Sequence, residues 1–271
     1  MALIGCGAIG SVLAQAIDKE QAGKVGLAWL YDLKPEKSKA LTKKLRSKPR
    51  IAKRVAEICA DKTVDMVIEA ASQLAVKQYS TNILRSGKDL MVMSVGALAD
   101  ERLLKSVQRA AGLIGHKIYI PSGAILGIDG VKAAELGEIE EVSLTTRKPP
   151  AALAYSTYLK KSGIKLRGLK KARMVFDGFA REAVKAFPRS VNVAATLSLA
   201  GIGLDKTRVR IIADPKLHHN VHEIRVRGKA GKFVTRMKNV PFPDANKTSY
   251  LAALSAIRTL RNLSETIRIG T

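Results

Sequence analysis

A chain of 271 residues with 46% apolar side chains has room for one large domain or two of ordinary size, each with a packed core. Its two cysteines, Cys6 and Cys59, lie far apart with no CxxC pairing; this argues against a zinc set or a disulfide scaffold and implies free thiols in a reducing cytoplasm. The formal charge is +24, from 47 Lys and Arg against 23 Asp and Glu, and no apolar run approaches the ~20 residues of a membrane span.

In chain order, "ALIG" is a short apolar strand, "AIGSVLAQAIDKEQAG" an amphipathic helix and "VGLAWLYD" a second strand ending in Asp32. A basic helix follows, then the strand "VDMVIEAAS", the helix "QLAVKQYSTNILRSG", the strand "DLMVMSV", the helix "DERLLKSVQRAAGLIG" and the strand "HKIYIPSG". Apolar strands joined by helical crossovers predict a parallel sheet covered on both faces, the doubly wound α/β architecture. The first strand is short for such a sheet, as though it frayed at its edge or a few residues preceded it. No charged n-region with a cleavage site opens the chain, so a soluble, unexported protein is expected.

From about residue 121 the patterns change to "IEEVSLTTRK", "ARMVFDG", "TRVRIIADP", "HEIRVRG" and "KFVTRMKNV", several alternating and the last two joined through "KAG" as a hairpin. These predict a second, α+β domain with a mainly antiparallel sheet, covered by helices near 179–187 and 191–200. The last helix, "KTSYLAALSAIRTLRNL", places Leu251, Leu254, Ile257 and Leu260 on one side. The expected division is a dinucleotide-binding domain over 1–120, a substrate and oligomerisation domain over 121–245, and a C-terminal segment over 246–271 packing back on the first.

The positive charge concentrates in residues 34–54, with ten basic side chains against Glu36, and in 148–171, with seven and no acid. Neither stretch has the aromatic interleaving of a single-strand binder or a groove-reading motif. Both read as solvated helix and loop surface, with only nonspecific electrostatic attraction for nucleic acid.

"GCGAIG" fits GxGxxG, with Gly5, Gly7, Ala8, Ile9 and Gly10 between an apolar strand and a helix whose N-terminus would face a pyrophosphate. Asp32 follows at the spacing of the ribose-binding acid, which favours NAD, although Lys34 and Lys37 leave NADP open. Ligands of open α/β sheets cross the carboxyl ends of the strands, so Ala71, Ser72, Ser94, Gly96 and Ala97 are expected to line the cofactor. In "PSGAILGIDG", Ser122, Gly123 and Ala124 form either a backbone nest for a carboxylate, leading into a helix, or a plain turn. Asn192 stands in the first turn of a helix with Ser190 as candidate N-cap. In "NVHEIRVRG", His222 shares the apolar face with Ile224 and Val226, opposite Glu223, Arg225 and Arg227; it reads either as a satisfied core histidine or as an acid/base group. His218 and His219 lie on a loop, where the spacing aligns no metal ligands as a helix would, and no metal is expected.

Taken in order, "GCGAIG", "EAASQLAVKQY", "SVGALAD", "YIPSGAILGIDG", "LTTRK", "FPRSVNVAATLSLAG", "NVHEIRVRG" and "KTSYLAALSAIRTLRNL" closely resemble the L-aspartate dehydrogenases of archaea and bacteria. The resemblance spans nearly the whole chain; the short first strand and a longer basic insertion after "TTRK" depart from it. It implies NAD- or NADP-dependent interconversion of L-aspartate with oxaloacetate and ammonia through iminosuccinate, with a possible supply of iminosuccinate to NAD biosynthesis. It also implies nicotinamide contacts at Ala124 and Asn192, an active-site role for His222, and a homodimer or larger assembly. Ser122, Gly123, Asn192 and His222 are expected to contact the substrate, with His222 facing a cleft between the domains. The alternatives from the residues alone are another two-domain dehydrogenase acting on a small dicarboxylate or semialdehyde, or a basic nucleotide-sensing protein without catalysis.

Overall fold

The apolar runs of the first half close into a six-stranded parallel sheet, in a computed structural model that describes the chain apart from residues 155, 189–191, 243–244, 268 and 271. Its strands are β1 (Ala2–Ile4), β2 (Trp29–Tyr31), β3 (Arg50–Ile51), β4 (Met66–Glu69), β5 (Asp89–Val92) and β6 (Ile118–Tyr119). Between them run α1 (Ala8–Asp18), α2 (Pro35–Lys44), α3 (Val55–Ala60), α4 (Gln73–Arg85) and α5 (Glu101–Ile114), with a 3-10 turn at Val95–Ala99. The strand order β3-β2-β1-β4-β5-β6 reverses direction between β1 and β4, whose carboxyl ends therefore form the ligand-binding switch point of a doubly wound sheet. The expected parallel α/β fold is present.

Local chemistry sets the helix ends. Asp100 accepts the Arg102 and Leu103 amides to start α5, and Gly115, at φ +73°, stops it in the left-handed conformation. Leu3, Leu13, Leu30, Ile68 and Met91 share one core with Ala256 and Leu260. The last two belong to the final helix, which is counted with this unit: the chain divides into Met1–Pro121 with Ala252–Arg268, and Ser122–Leu251 with Ile269–Thr271.

Two sequence expectations change here. The basic stretch 34–54 is more than a helix and loop, because β3 forms the sheet edge within it, where the Arg50 guanidinium stacks on Trp29 and pairs with Asp61. The final helix buries Ala253, Ala256 and Leu260, while Leu254 is 40% exposed. Small alanines let a helix approach its sheet closely, a face that a search for large apolar residues passes over.

The second unit contains α6 (Ile128–Glu135), β7 (Ile139–Lys148), α7 (Pro150–Leu153), α8 (Thr157–Lys161), β8 (Arg173–Phe179), α9 (Ala180–Ala186) and α10 (Asn192–Ala200). They are followed by β9 (Arg208–Ala213), β10 (Asn220–Gly228), β11 (Gly231–Asn239), β12 (Pro241–Phe242) and β13 (Ala245–Ser249), before α11 (Tyr250–Asn262). The main sheet has the order β11-β10-β7-β9-β8 and is antiparallel except for the β7/β9 pair, whose long helical connection permits parallel pairing. The β10/β11 hairpin occurs as predicted. The basic insertion is not wholly solvated: Leu153 and Leu159 are buried, and Tyr158 packs on Phe176 and Phe187 at centroid distances of 5.8 and 5.3 Å.

Candidate functional site

Each unit carries a polar centre of its own. In the first, β1 runs into Gly5, which adopts φ +99° and donates its amide to the Tyr31 carbonyl. A Cβ on Gly10 would stand 1.8 Å from the Gly5 carbonyl oxygen, and one on Gly5 only 2.7 Å from the Ala70 and Ala71 backbone. Gly7 instead faces open space and begins α1 without a side-chain cap, so its N-cap leaves the first-turn amides without a side-chain acceptor, beside exposed Ala8 and half-buried Ile9. These features fit a pyrophosphate: a turn closed by two glycines, with uncapped helix amides at its open side. Asp32 accepts the Cys6 amide on Oδ2 (2.8 Å) and the Lys34 amide on Oδ1 (2.9 Å), which fixes its carboxylate beside the loop. Lys34 and Lys37 are exposed. Cys6 and Cys59 are free thiols, and burial raises the pKa of Cys6.

The other residues expected on the cofactor side divide into two groups. Ala71 and Ser72 are exposed at the end of β4, and the Ser72 hydroxyl caps α4 by accepting the Ala75 amide at 3.2 Å. Ser94, Gly96 and Ala97 are buried, Ala97 to 1% exposure, so a direct lining role for the Ala97 side chain is corrected to packing inside the 3-10 turn. Glu69, the last residue of β4, joins both loops and was absent from the sequence expectation. Its Oε1 accepts the Ala71 and Ser72 amides (2.8 Å each) and the Ser94 hydroxyl (2.9 Å), while Oε2 accepts the Ser94 amide (3.0 Å). Burial raises the Glu69 pKa against the opposing pull of these donors. The available signal was a carboxylate closing an otherwise apolar strand.

In the second unit, β10 pairs with β7 so that His222 lies opposite Thr146, and with β11 so that it lies opposite Met237. His222 is 4% exposed, and its Nδ1 shares a hydrogen bond of 2.9 Å with the Thr146 hydroxyl. By the two-residue period, Lys148 and Asn239 point to the same face, which is otherwise built from Leu144, Ile211, Ile224 and Val226. One end of an apolar sheet face therefore carries four buried polar side chains, Thr146, Lys148, His222 and Asn239. Burial first, and the Lys148 charge second, push the His222 pKa down to about 3; burial alone lowers Lys148 to about 8. The imidazole is thus held neutral through the mildly acid range in which a free histidine takes up its proton.

Asn239 Nδ2 donates to the Ala124 carbonyl at 3.1 Å, tying the Ser122–Gly123–Ala124 turn to β11, and its Oδ1 is buried with no partner among the described residues. Ser122 and Gly123 are half-buried and Ala124 is buried. The turn does not lead straight into a helix as expected, since Gly127 intervenes at φ +79° and α6 begins at Ile128. Asn192 is the first residue of α10 and half-buried; Ser190, the candidate N-cap, lies outside the described residues. His218 and His219 are exposed ahead of β10, and the described residues contain no group of three or more His, Cys, Asp or Glu able to hold a metal. Sequence reasoning missed Thr146, Lys148 and Asn239, because only the strand register aligns them with His222.

Residues 5–121 match the family model for the NAD-binding domain of homoserine dehydrogenase, and residues 129–263 match the C-terminal domain of aspartate dehydrogenase. An L-aspartate dehydrogenase of Methanosarcina barkeri is 49% identical over 99% of this chain and 98% of its own. One of Nitrosopumilus maritimus is 43% identical over 100% of this chain and 99% of its own. The crystal structure of aspartate dehydrogenase from Thermotoga maritima superposes with a TM-score of 0.78 at 30% identity, covering 99% of this chain and 98% of that one. Among the described residues, no helix is long and apolar enough to cross a membrane. The chain belongs to the L-aspartate dehydrogenase family, enzymes that work with a nicotinamide cofactor.

Proposed function

We propose that this protein oxidises L-aspartate through iminosuccinate to oxaloacetate and ammonia, and runs the reverse reductive amination. Full-length similarity to curated L-aspartate dehydrogenases supports the substrate, and one observation carries the chemistry: a buried imidazole, fixed by Thr146, on the polar end of an apolar sheet face. In this reading the Gly5–Gly10 turn and the α1 amides hold the pyrophosphate, and Asp32 receives the adenosine ribose hydroxyls, which favours NAD over NADP. The Ala71–Ser72 and Ser94–Ala97 loops, with Ala124 and Asn192, position the nicotinamide, which when bound exchanges a hydride with the substrate α-carbon.

His222 moves the protons. With Nδ1 engaged by Thr146, Nε2 takes a proton from the water that adds to the imine carbon, and returns one to the nitrogen as the C–N bond breaks. At a pKa of about 3 the imidazole is a weak base, but a dicarboxylate beside it favours the protonated form and raises that value. Proton-accepting capacity then develops as the substrate binds. Ser122, Gly123 and Asn192 are assigned to substrate binding, and Lys148 supplies positive potential at the same face. The basic surface is assigned to solubility and nonspecific attraction of polyanions. Assembly as a homodimer or larger, a cytoplasmic location and a supply of iminosuccinate to NAD biosynthesis belong to the same reading.

The test is aspartate-dependent formation of reduced nicotinamide by purified protein with NAD or NADP. Turnover is expected, faster with NAD at low cofactor concentration. No turnover with aspartate, together with turnover of another small dicarboxylate or semialdehyde, overturns the substrate assignment.

A further inference from the structure

Glu69 is 2% exposed, close to the end of a sheet whose other buried residues there are apolar. Four donors converge on it: two amides from the Ala71–Ser72 loop, and the amide and hydroxyl of Ser94. An ionised carboxylate is acceptor-only on both oxygens and can satisfy all four, whereas an amide has one acceptor oxygen and presents two N–H donors on the other side. Burying a charge is unfavourable unless hydrogen bonds compensate it, so four donors on one buried carboxylate mark a residue whose ionised form is built into the site.

The network does not stop at these loops. Glu69 is the last residue of β4 at the switch point, and the Ala70–Ala71 backbone that follows lies against Gly5, where even a Cβ would not fit. Gly5 in turn packs against Gly10 of α1. Close backbone contacts that do not depend on the carboxylate join α1, the glycine turn and the Ala71 loop, and the carboxylate extends the line to Ser94.

We propose that Glu69 is the positioning residue of the nicotinamide end of the cofactor site, holding the Ala71–Ser72 and Ser94–Ala97 loops at a fixed separation. It touches neither substrate nor reacting atoms and acts through the two loops. The inference rests on the assignment of those loops to the nicotinamide. It follows that Glu69 distinguishes the two ends of the dinucleotide: its loss disturbs the nicotinamide end and leaves the adenosine end, held by the glycine turn and Asp32, in place.

Glu69→Gln is the decisive variant, because the side chain keeps its shape. Its carbonyl can retain the three bonds at Oε1, while its NH2 then faces the Ser94 amide as a second donor. Dissociation constants for NADH and for ADP-ribose, which lacks the nicotinamide, are measured on folded protein with kcat for aspartate. The expected result is a loss of kcat of about tenfold to hundredfold, with weaker NADH binding and ADP-ribose affinity within about twofold of wild type. A role in stability alone predicts a lower Tm with an unchanged NADH to ADP-ribose ratio and unchanged kcat per folded site, and that result overturns the proposal. Ser94→Ala, which removes only the hydroxyl bond, is expected to show the same pattern at smaller amplitude. If Glu69→Gln fails to fold, Ser94→Ala decides alone, and a wild-type ratio and kcat in it sink the proposal. Wild-type protein that binds no NADH would break the cofactor assignment itself; wild-type binding with an unchanged variant ratio breaks only the role of Glu69.

Discussion

Glu69 and His222 are both buried ionisable groups whose pKa values burial shifts toward the neutral form, and they differ in what opposes that shift. At Glu69 four donors on two oxygens pull against the shift and favour the anion, although burial still raises its pKa. His222 shares a hydrogen bond with Thr146, and a cation whose charge acts on it helps to hold it neutral. The difference separates two ways of using burial. Backbone amides replace water around a charge that never needs to change, whereas a desolvated imidazole leaves a charge state that a ligand can alter.

The largest predicted effect tests the rigid side of this contrast. Gly10→Ala places a Cβ 1.8 Å from the Gly5 carbonyl oxygen, a backbone atom that cannot swing aside as the end of a side chain could. A loss of about 3 kcal/mol or more is expected, at the upper end for overpacking, together with loss of NADH binding. Urea unfolding and cofactor fluorescence measure both, and a folded variant with normal NADH affinity contradicts the proposed seat of the pyrophosphate.

His222→Gln tests the adjustable side. Gln retains much of the imidazole's volume but cannot cycle a proton, so kcat is expected to fall by about 10² to 10⁴ while NADH affinity stays near wild type. Stability should fall too, by about 1–3 kcal/mol, since the Thr146 partner is perturbed in a buried setting. A variant that is stable and fully active would return His222 to the status of a core residue.

The contrast between the two centres also explains how far each was legible in the sequence. The glycine turn, Asp32 and the β4 and β5 loops follow one another along a parallel sheet, so spacing along the chain reproduces spacing at the switch point. Glu69 escaped notice because its meaning depends on Ser94, 25 residues away, and on which way two loops turn their amides. In the second unit, Thr146 and His222 are 76 residues apart, and only the β7/β10 register brings them together. Lys148 read as surface because it opens a basic stretch, and its burial is a property of the sheet face rather than of its neighbours in sequence. The apolar strand and helix patterns were sufficient for the two main sheets apart from the edge strand β3; the buried polar partners needed pairing information.

Asp32→Ala has a smaller, cofactor-specific effect. In the proposed arrangement its carboxylate serves the ribose hydroxyls while held by the Cys6 and Lys34 amides. NAD should weaken by about tenfold to hundredfold, the range for hydrogen bonds to a charged group, and NADP by less, because Lys34 and Lys37 remain to face the added phosphate. Equal losses for the two cofactors would remove Asp32 from the ribose.

Stability against pH separates the two buried groups through the sign of their slopes. The His222 pKa is lowered from 6.5 to about 3, so between those values the unfolded chain binds more protons and stability rises with pH, by at most about 1.4 kcal/mol per unit. The Glu69 pKa is raised from 4.5, so above that value the folded chain binds more protons, and stability falls as pH rises to the folded pKa. Urea midpoints measured between about pH 4 and pH 7 should lose their positive component in His222→Gln and their negative component in Glu69→Gln. Parallel profiles in the two variants would show that neither group is perturbed by burial.

The finest test concerns the charge beside the histidine. Lys148 is the second cause of the lowered His222 pKa, after burial, so Lys148→Met should raise that pKa without returning it to 6.5. Methionine keeps the length of the stem and removes only the ammonium, so burial of the imidazole is retained. The sign follows directly: a higher folded pKa narrows the window in which the unfolded state holds the extra proton, and the variant loses less stability from His222 on acidification than wild type does. Imidazole chemical shifts followed by NMR through the acid range read the change at His222 itself, apart from the other titrating groups. If the shift curve of His222 does not move in Lys148→Met, the ammonium lies too far away to act on it, and the positive potential assigned to this sheet face must come from another side chain.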